Sequence, residues 1–394
     1  MSRKTIIITL LFAVFFMSSH AWATDEDEIR ALIENKTVDM FHKKKDVEMQ
    51  RFFAKDGTML QMHSENGFSK GNWSIEDDKL CFVIGGKAAK CRPVMEKDDE
   101  YGLGNRKGSK MQVMFNDYKN GNTLDIPKEE LAEVLSEKHA TEEVVTINTR
   151  EGVTQTFLHI VPTEKPKGVV IIYPGHEGVV RFKKIANQYS VDNEGGGLTA
   201  HEKSREKYSQ EGFAVAVLAP PSDQSYGMDT DFRSSKEHTQ DTEKVIEYLH
   251  QKYNQDVYLH GHCRSTFSPA AVATNLNNKG IAGIILSSAR SEGRHGGVVD
   301  YEKGKVKVPV LLVQHVDDPC EGTLYENMPK IKSFYEASTN VDVITAKGGE
   351  GKRPDDAPGC SGGHHGFRGM RKPVMNAIIQ WINKEEFPKH IVKD

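Results

Sequence analysis

The sequence predicts an α/β chain: an open, mostly parallel, doubly wound sheet preceded by a small β-rich domain. Two patterns support that fold class. From about residue 142 onward, continuous apolar runs alternate with candidate helices, and before residue 125 short strand-like segments are punctuated by turn signals. A third observation marks where the chemistry lies. The stretch from Asp256 to Ser265 reads as a strand and a tight turn, passes into the helical start Pro269 to Ala273, and holds a thiol, Cys263, at the middle of the turn.

The first 23 residues read as a secretory leader. Arg3 and Lys4 are basic, Thr5 to Met17 is mostly apolar, and Ala21-Trp22-Ala23 is a small-x-small cleavage site. The apolar run is short for a membrane span, and no later segment approaches that length. Cleavage near Ala23 leaves 371 residues destined for the periplasm or for secretion, enough for one domain of about 250 residues plus a small one. A formal charge of −4 with both signs interspersed gives no electrostatic reason to expect nucleic acid. Lys43-Lys44-Lys45 reads as a solvated face.

Five cysteines are an odd number for an oxidising compartment. Cys81 and Cys91 stand symmetrically about Gly86, so a hairpin with a Gly85-Gly86-Lys87 loop would bring them together. Cys320 and Cys360 suggest themselves as the second pair, which would leave Cys263 as a free thiol.

Residues 24–125 form the β-rich domain. A helix opens it within Asp27 to Asp39. Strands follow at Met49 to Phe53, Thr58 to His63, Gly71 to Ile75, Lys79 to Ile84, Ala88 to Val94 and Met111 to Phe115. Its role reads as structural or accessory, with no partner specified. Residues 126–141 are a linker, with Pro127 near the start of a connecting helix over Asp125 to Lys138. The second domain, 142–394, opens on a hairpin-like pair, Val144 to Asn148 and Gln155 to Ile160. Buried strands then fall at Val169 to Tyr173, Ala214 to Ala219, Val257 to His260, Ala282 to Leu286, Val308 to Gln314 and Val341 to Ile344. Helices are expected at Phe182 to Gln188, His201 to Glu211, Lys236 to Lys252, Pro269 to Asn275, Tyr325 to Ala337 and Gly369 to Asn383. Val191 to Thr199 reads as a Gly-rich rim.

Gly261-His262-Cys263-Arg264-Ser265 is a nucleophile elbow, G-x-S-x-G, with Cys in place of Ser and Ser in place of the last Gly. On this motif and the strand–helix order, residues 142 to about 390 resemble the α/β-hydrolase family, in an exported bacterial form. The central Cys is similar to the dienelactone hydrolase branch. The resemblance implies the chain order nucleophile, acid, His. Cys263 takes the first place, its thiol pKa lowered by the helix that follows and by a nearby His. Asp318, after the strand ending at His315, takes the second, with Asp317 as alternate. His365 of His365-Gly366-Phe367 takes the third, with His364 as alternate. An oxyanion hole would use the backbone N–H of Arg264 and that of His176 or Glu177, in the loop Tyr173 to Gly178. Ser265 brings a Cβ to a position where the helix approaches the strand, which puts the tightness of the turn in question. Ala219 to Asp223 and Phe232 to His238 resemble a segment of exported bacterial α/β hydrolases and have no assigned chemistry.

The sixteen histidines show no zinc-protease spacing, and the glycine pairs lack a Lys-Ser/Thr partner for phosphate. No metal or other cofactor is expected. The leading expectation is a hydrolase of carboxylic esters, thioesters or lactones, its partner a small-molecule or acyl substrate. The alternatives are an acyltransferase using the same thiol, and a hydrolase-like binding protein that has lost turnover.

Overall fold

The computed structural model describes residues 22–64, 67–84, 90–105, 107–126, 140–185, 188–193, 204–291, 296–351, 360 and 362–393. The leader up to residue 21, the Gly85-Gly86-Lys87 loop, the connecting helix beyond Ile126 and residues 194–199 of the rim lie outside these.

The first domain is a closed barrel. Helix α1 (Glu26–Ile33) starts at Asp25, whose carboxylate accepts from the Glu28 N–H, and buries Ile29 and Ile33 in the barrel interior. The strands are β1 (Trp22–Ala23), β2 (Lys36–His42), β3 (Val47–Phe53), β4 (Thr58–His63), β5 (Gly67–Glu76), β6 (Lys79–Ile84), β7 (Lys90–Lys97), β8 (Glu100–Gly104) and β9 (Met111–Asn120). They run in the order β1-β7-β6-β5-β4-β3-β2-β9-β8, and β7 also pairs with β8, so β2 to β9 close on themselves. Closure removes the free sheet edge. The sequence reading carries the opening helix to Asp39. The chain instead turns at Asn35, which sits in the left-handed region at φ 55°, and β2 follows. Cys81 and Cys91 face each other directly across β6 and β7 and are disulfide-bonded, with Cα atoms 3.9 Å apart.

The second domain is built on the sheet β10 (Thr141–Arg150), β11 (Val153–Val161), β12 (Val169–Ile172), β15 (Ala214–Leu218), β16 (Val257–His262), β17 (Ile281–Ser287), β18 (Val310–His315), β19 (Val341–Gly348) and β20 (His390–Lys393), with β13 (Val180–Ile185) and β14 (Gln188–Asn193) paired separately. The spatial order is β10-β11-β15-β12-β16-β17-β18-β19-β20. The pairs β10–β11 and β11–β15 are antiparallel and the pairs from β15 to β20 parallel. The helices are α2 (Arg205–Gln210), α3 (Thr230–Ser234), α4 (Lys236–Tyr253), α5 (Phe267–Asn275), α6 (Met328–Phe334) and α7 (Arg371–Ile382). Residues of α2 and α7 pack on one face of the sheet and residues of α4, α5 and α6 on the other. The expected doubly wound sheet is therefore present, mixed rather than wholly parallel. Among the described residues no helix is long and apolar enough to cross a membrane.

One expected helix is absent. Of the Phe182 to Gln188 segment, Phe182 to Ile185 lies in β13 and Gln188 in β14 of the same hairpin, Val180 pairing with Asn193 and Ile185 with Gln188. The hairpin reaches the barrel: Ile185 is buried against Cys81 and Val83, and Lys183 forms an ion pair with Glu76 at 2.7 Å. An apolar contact to a separate domain replaced the helical face that the spacing suggested.

After β12 the chain passes to β15 on one side and then to β16 on the other. The strand order thus reverses between β12 and β16, and a crevice is expected at their carboxyl ends.

Candidate active site

The loops that leave the carboxyl ends of β12, β16, β18 and β19 carry every candidate residue, and these strands lie parallel within one sheet. The elbow comes from β16. Cys263 is a non-glycine residue at φ 55°, a strained conformation that turns its side chain out of the strand. Gly261 makes the turn possible: a Cβ there would lie 2.5 Å from the Ser265 carbonyl oxygen. Ser265 fits. It is fully buried, its Oγ accepts from the His262 N–H at 2.8 Å, and its hydroxyl donates to the His262 carbonyl at 3.0 Å. The hydroxyl that replaced a glycine ties the two ends of the turn together.

Cys263 is half-buried, and it is the free cysteine beside two disulfides. Its Sγ lies within 4.8 Å of a ring nitrogen of His365. Burial pushes the thiol pKa up, but the His365 imidazolium, a hydrogen bond to His365, the Arg264 N–H and the charge of Arg290 outweigh it, and the net shift is downward. His365 responds reciprocally. Burial disfavours its cation, yet the thiolate and Asp318 raise its pKa well above the ordinary value. Each group thus favours the charged form of the other.

Asp318 follows β18 and is buried. His365 Nδ1 lies 3.1 Å and 3.0 Å from its two carboxylate oxygens. Burial raises the Asp318 pKa, but bonds from His365, the Cys320 N–H and the Thr323 hydroxyl bring it below the usual carboxylate value. Two residues that sequence reasoning missed hold this carboxylate. Gln314 Nε2 donates to Oδ2 at 3.0 Å and the Thr323 hydroxyl donates at 2.9 Å. A polar Gln inside an otherwise apolar strand was the one signal available. His365 lies in the turn Gly363–Gly366, and its carbonyl accepts from the Ser288 hydroxyl at 3.0 Å. The Cys320–Cys360 disulfide joins the acid loop to the loop that leads into His365, across a separation of 40 residues.

The alternates lie elsewhere. Asp317 and His364 are exposed at the surface or close to it, and His364 Nδ1 lies 3.3 Å from the Asp317 carbonyl oxygen. His364 stacks on His315 with ring centroids 4.4 Å apart. His315, Asp317 and His364 could be read as a metal cluster, but both His315 nitrogens are occupied, one accepting from the Asp317 N–H at 3.0 Å and the other 2.9 Å from the Gly348 carbonyl oxygen.

The candidate oxyanion loop leaves β12. His176 has φ 51°, and the Gly178 N–H closes a turn onto the Gly175 carbonyl at 2.8 Å. Burial, His365 and Arg264 together hold the His176 imidazole below the usual histidine range, favouring its neutral form. Glu177 forms an ion pair with Arg264, joining this loop to the elbow. Arg233, also unassigned from sequence, is fully buried. It donates to Ser268 Oγ at 3.2 Å, to the Pro174 carbonyl at 3.0 Å and to the His176 carbonyl at 3.3 Å. It belongs to the Phe232 to His238 segment, which thereby acquires a positioning role.

No protein-family model and no curated protein matches the sequence. Solved structures similar to it include an α/β serine hydrolase homologue from Coxiella burnetii, at 16% identity and a TM-score of 0.42, covering 61% of this chain and 97% of that one. A cold-adapted esterase from an Arctic intertidal metagenomic library is 14% identical, with a TM-score of 0.40 over 53% of this chain and 86% of that one. Acylaminoacyl peptidase from Pyrococcus horikoshii is 12% identical, with a TM-score of 0.47 over 86% of this chain and 53% of that one. Likenesses this distant do not transfer an activity, and the reading of the site rests on this chain's own residues.

Proposed function

We propose that the protein is an α/β hydrolase that cleaves carboxylic esters, thioesters or lactones through Cys263, His365 and Asp318, and that it works outside the cytoplasm. The observation behind this reading is a strained cysteine on a strand–turn–helix elbow, within hydrogen-bonding reach of a histidine that a buried aspartate orients. The Cys263 thiolate attacks the carbonyl carbon, and the Arg264 N–H with that of His176 or Glu177 stabilises the oxyanion. The His365 imidazolium protonates the leaving group, and the neutral imidazole then draws a proton from the water that attacks the thioester. Asp318 holds the ring in the tautomer and orientation that both steps require. The leader and two disulfides support export.

Incubation with a panel of short acyl esters and thioesters, followed by intact mass, tests the reading. The expected result is a single acyl adduct on the Cys263 peptide, absent in Cys263→Ala, that decays to free acid. Decay only in the presence of an added alcohol or amine would mark an acyltransferase. No adduct, together with Cys263 labelled by iodoacetamide no faster than a free thiol, would overturn it in favour of a binding protein.

A further inference from the structure

Outside the triad, the chemistry closest to the nucleophile is a disulfide. The Sγ atoms of Cys263 and Cys320 and a ring nitrogen of His365 all lie within 4.8 Å of one another. Cys320 is the enclosed half of its bridge: it is 0% exposed, whereas Cys263 and Cys360 are partly open. A small thiol arriving from solvent therefore meets Cys263 or Cys360 before it meets Cys320. The Cys320 backbone is fixed in the acid loop, its N–H donating to Asp318 Oδ1 at 3.0 Å and its carbonyl accepting from the Thr323 N–H at 2.8 Å. A separation of up to 4.8 Å exceeds nonbonded contact by only about 1 Å.

We propose that Cys263 and the Cys320–Cys360 bridge form a thiol–disulfide exchange site, a second activity of the same sulfur. The Cys263 thiolate attacks Cys320 Sγ. A Cys263–Cys320 bond forms, the Cys320–Cys360 bond breaks, and Cys360 leaves as a thiolate that takes a proton from water. The proton that Cys263 gave up stays on His365. One thiol and one disulfide enter the step and one of each leave it, so no external oxidant or reductant is consumed. The ion pair with His365 stabilises the free Cys263 thiolate, which makes Cys263–Cys320 the more oxidising and less populated bridge at rest. In the exchanged form the nucleophile is blocked and the His365 loop is released from the acid loop. An acyl group on Cys263 prevents the exchange. The step needs only a thiolate beside a disulfide, and stands whether or not esters are the substrate.

The test uses the full-length protein carrying Cys360→Ser, in which Cys263 and Cys320 are the remaining thiols. After exposure to oxidised glutathione and acid quench, peptic mapping without reduction is expected to find a Cys263–Cys320 linked peptide, formed at least tenfold faster than any disulfide at Cys320 in Cys263→Ser/Cys360→Ser. Dithiothreitol is expected to restore iodoacetamide labelling of Cys263. Glutathione adducts on Cys263 with no linked peptide would overturn the proposal. Should Cys360→Ser fail to give a folded circular-dichroism spectrum, the wild-type protein decides. With less than one equivalent of dithiothreitol at pH 8, a fraction of molecules should carry the Cys263–Cys320 peptide with Cys360 alkylated. Finding Cys320–Cys360 as the only bridge to either cysteine would overturn it equally. Loss of ester cleavage in the mapped, exchanged fraction is a separate readout, so failure of the hydrolase reading and failure of exchange remain distinguishable.

Discussion

A thiol and an imidazole that shift one another's ionisation titrate as a pair, and that sets the first expectation at the residue scale. The Cys263 thiol is shifted downward, so its alkylation rate should hold a plateau below the ordinary thiol pKa and fall only on the acid side. In His365→Ala burial is opposed only by the Arg264 N–H and the charge of Arg290, and the inflection should move upward. Labelling at pH 7 should slow by about tenfold or more, because each unit of pKa above the working pH costs about tenfold in thiolate. A pH series of iodoacetamide rates, read by mass, checks both. Gln314→Leu should leave KM nearly unchanged and lower kcat by about tenfold, equivalent to about 1.4 kcal/mol, by loosening Asp318. Steady-state kinetics with any ester that turns over separates the two constants. The residues that a local motif marks were legible in the sequence: Cys263 in its elbow, Asp318 just past a strand, and His365 in its His-Gly-Phe on the loop after β19. Gln314, Thr323 and Arg233 were not, because each earns its place through a contact made only once distant strands are side by side.

Elements show the same division. Buried strands were readable as apolar runs because both faces are covered, and α4 and α7 because their buried positions recur at helical spacing. The β13–β14 hairpin misled because Phe182 and Ile185 stand three apart, a spacing a helix also allows, while its true contact lies on another domain. Strand β8 was missed for a different reason: Gly102 and Gly104 lack the side chains that mark a strand, and a Cβ at Gly102 would lie 2.2 Å from the Val113 carbonyl oxygen. At this scale the oxyanion loop gives a prediction. Arg233→Met removes the buried donor that Pro174 and His176 share, and kcat should fall by about tenfold to a hundredfold, less than outright loss of an oxyanion donor. The Cys263 labelling rate should stay near wild type. A parallel drop in labelling would point instead to a collapsed elbow.

Over the whole molecule, buried neutral histidines set the acid limit of stability. Burial lowers His238 to about 3, with the charges of Arg233 and Arg150 adding to the effect, and lowers His159 to about 4, with Lys252 adding. Both folded values lie below the unfolded one of about 6.5, so the stabilisation is fully present above that pH and is lost as pH falls through the window below it, at about 1.4 kcal/mol per histidine per unit. His238 lies against the rings of Tyr173 and Phe232, at centroid distances of 5.8 Å and 5.6 Å, and neither of its nitrogens has a hydrogen-bond partner among the described residues. His238→Phe should therefore flatten the acid limb by about that slope, measured as urea midpoints between pH 6.5 and 4.5. The two-domain plan was legible from composition and turn spacing. Closure of the barrel was not, since it depends on β9 meeting β2 across a long stretch of chain. The bridge between the domains carries one further consequence. The hairpin that Ile185 and Lys183 anchor to the barrel is rooted at Val180, two residues beyond Gly178 of the oxyanion loop. The same short hairpin thus ties the barrel to the loop that holds the candidate oxyanion N–H groups, a covalent path of two residues.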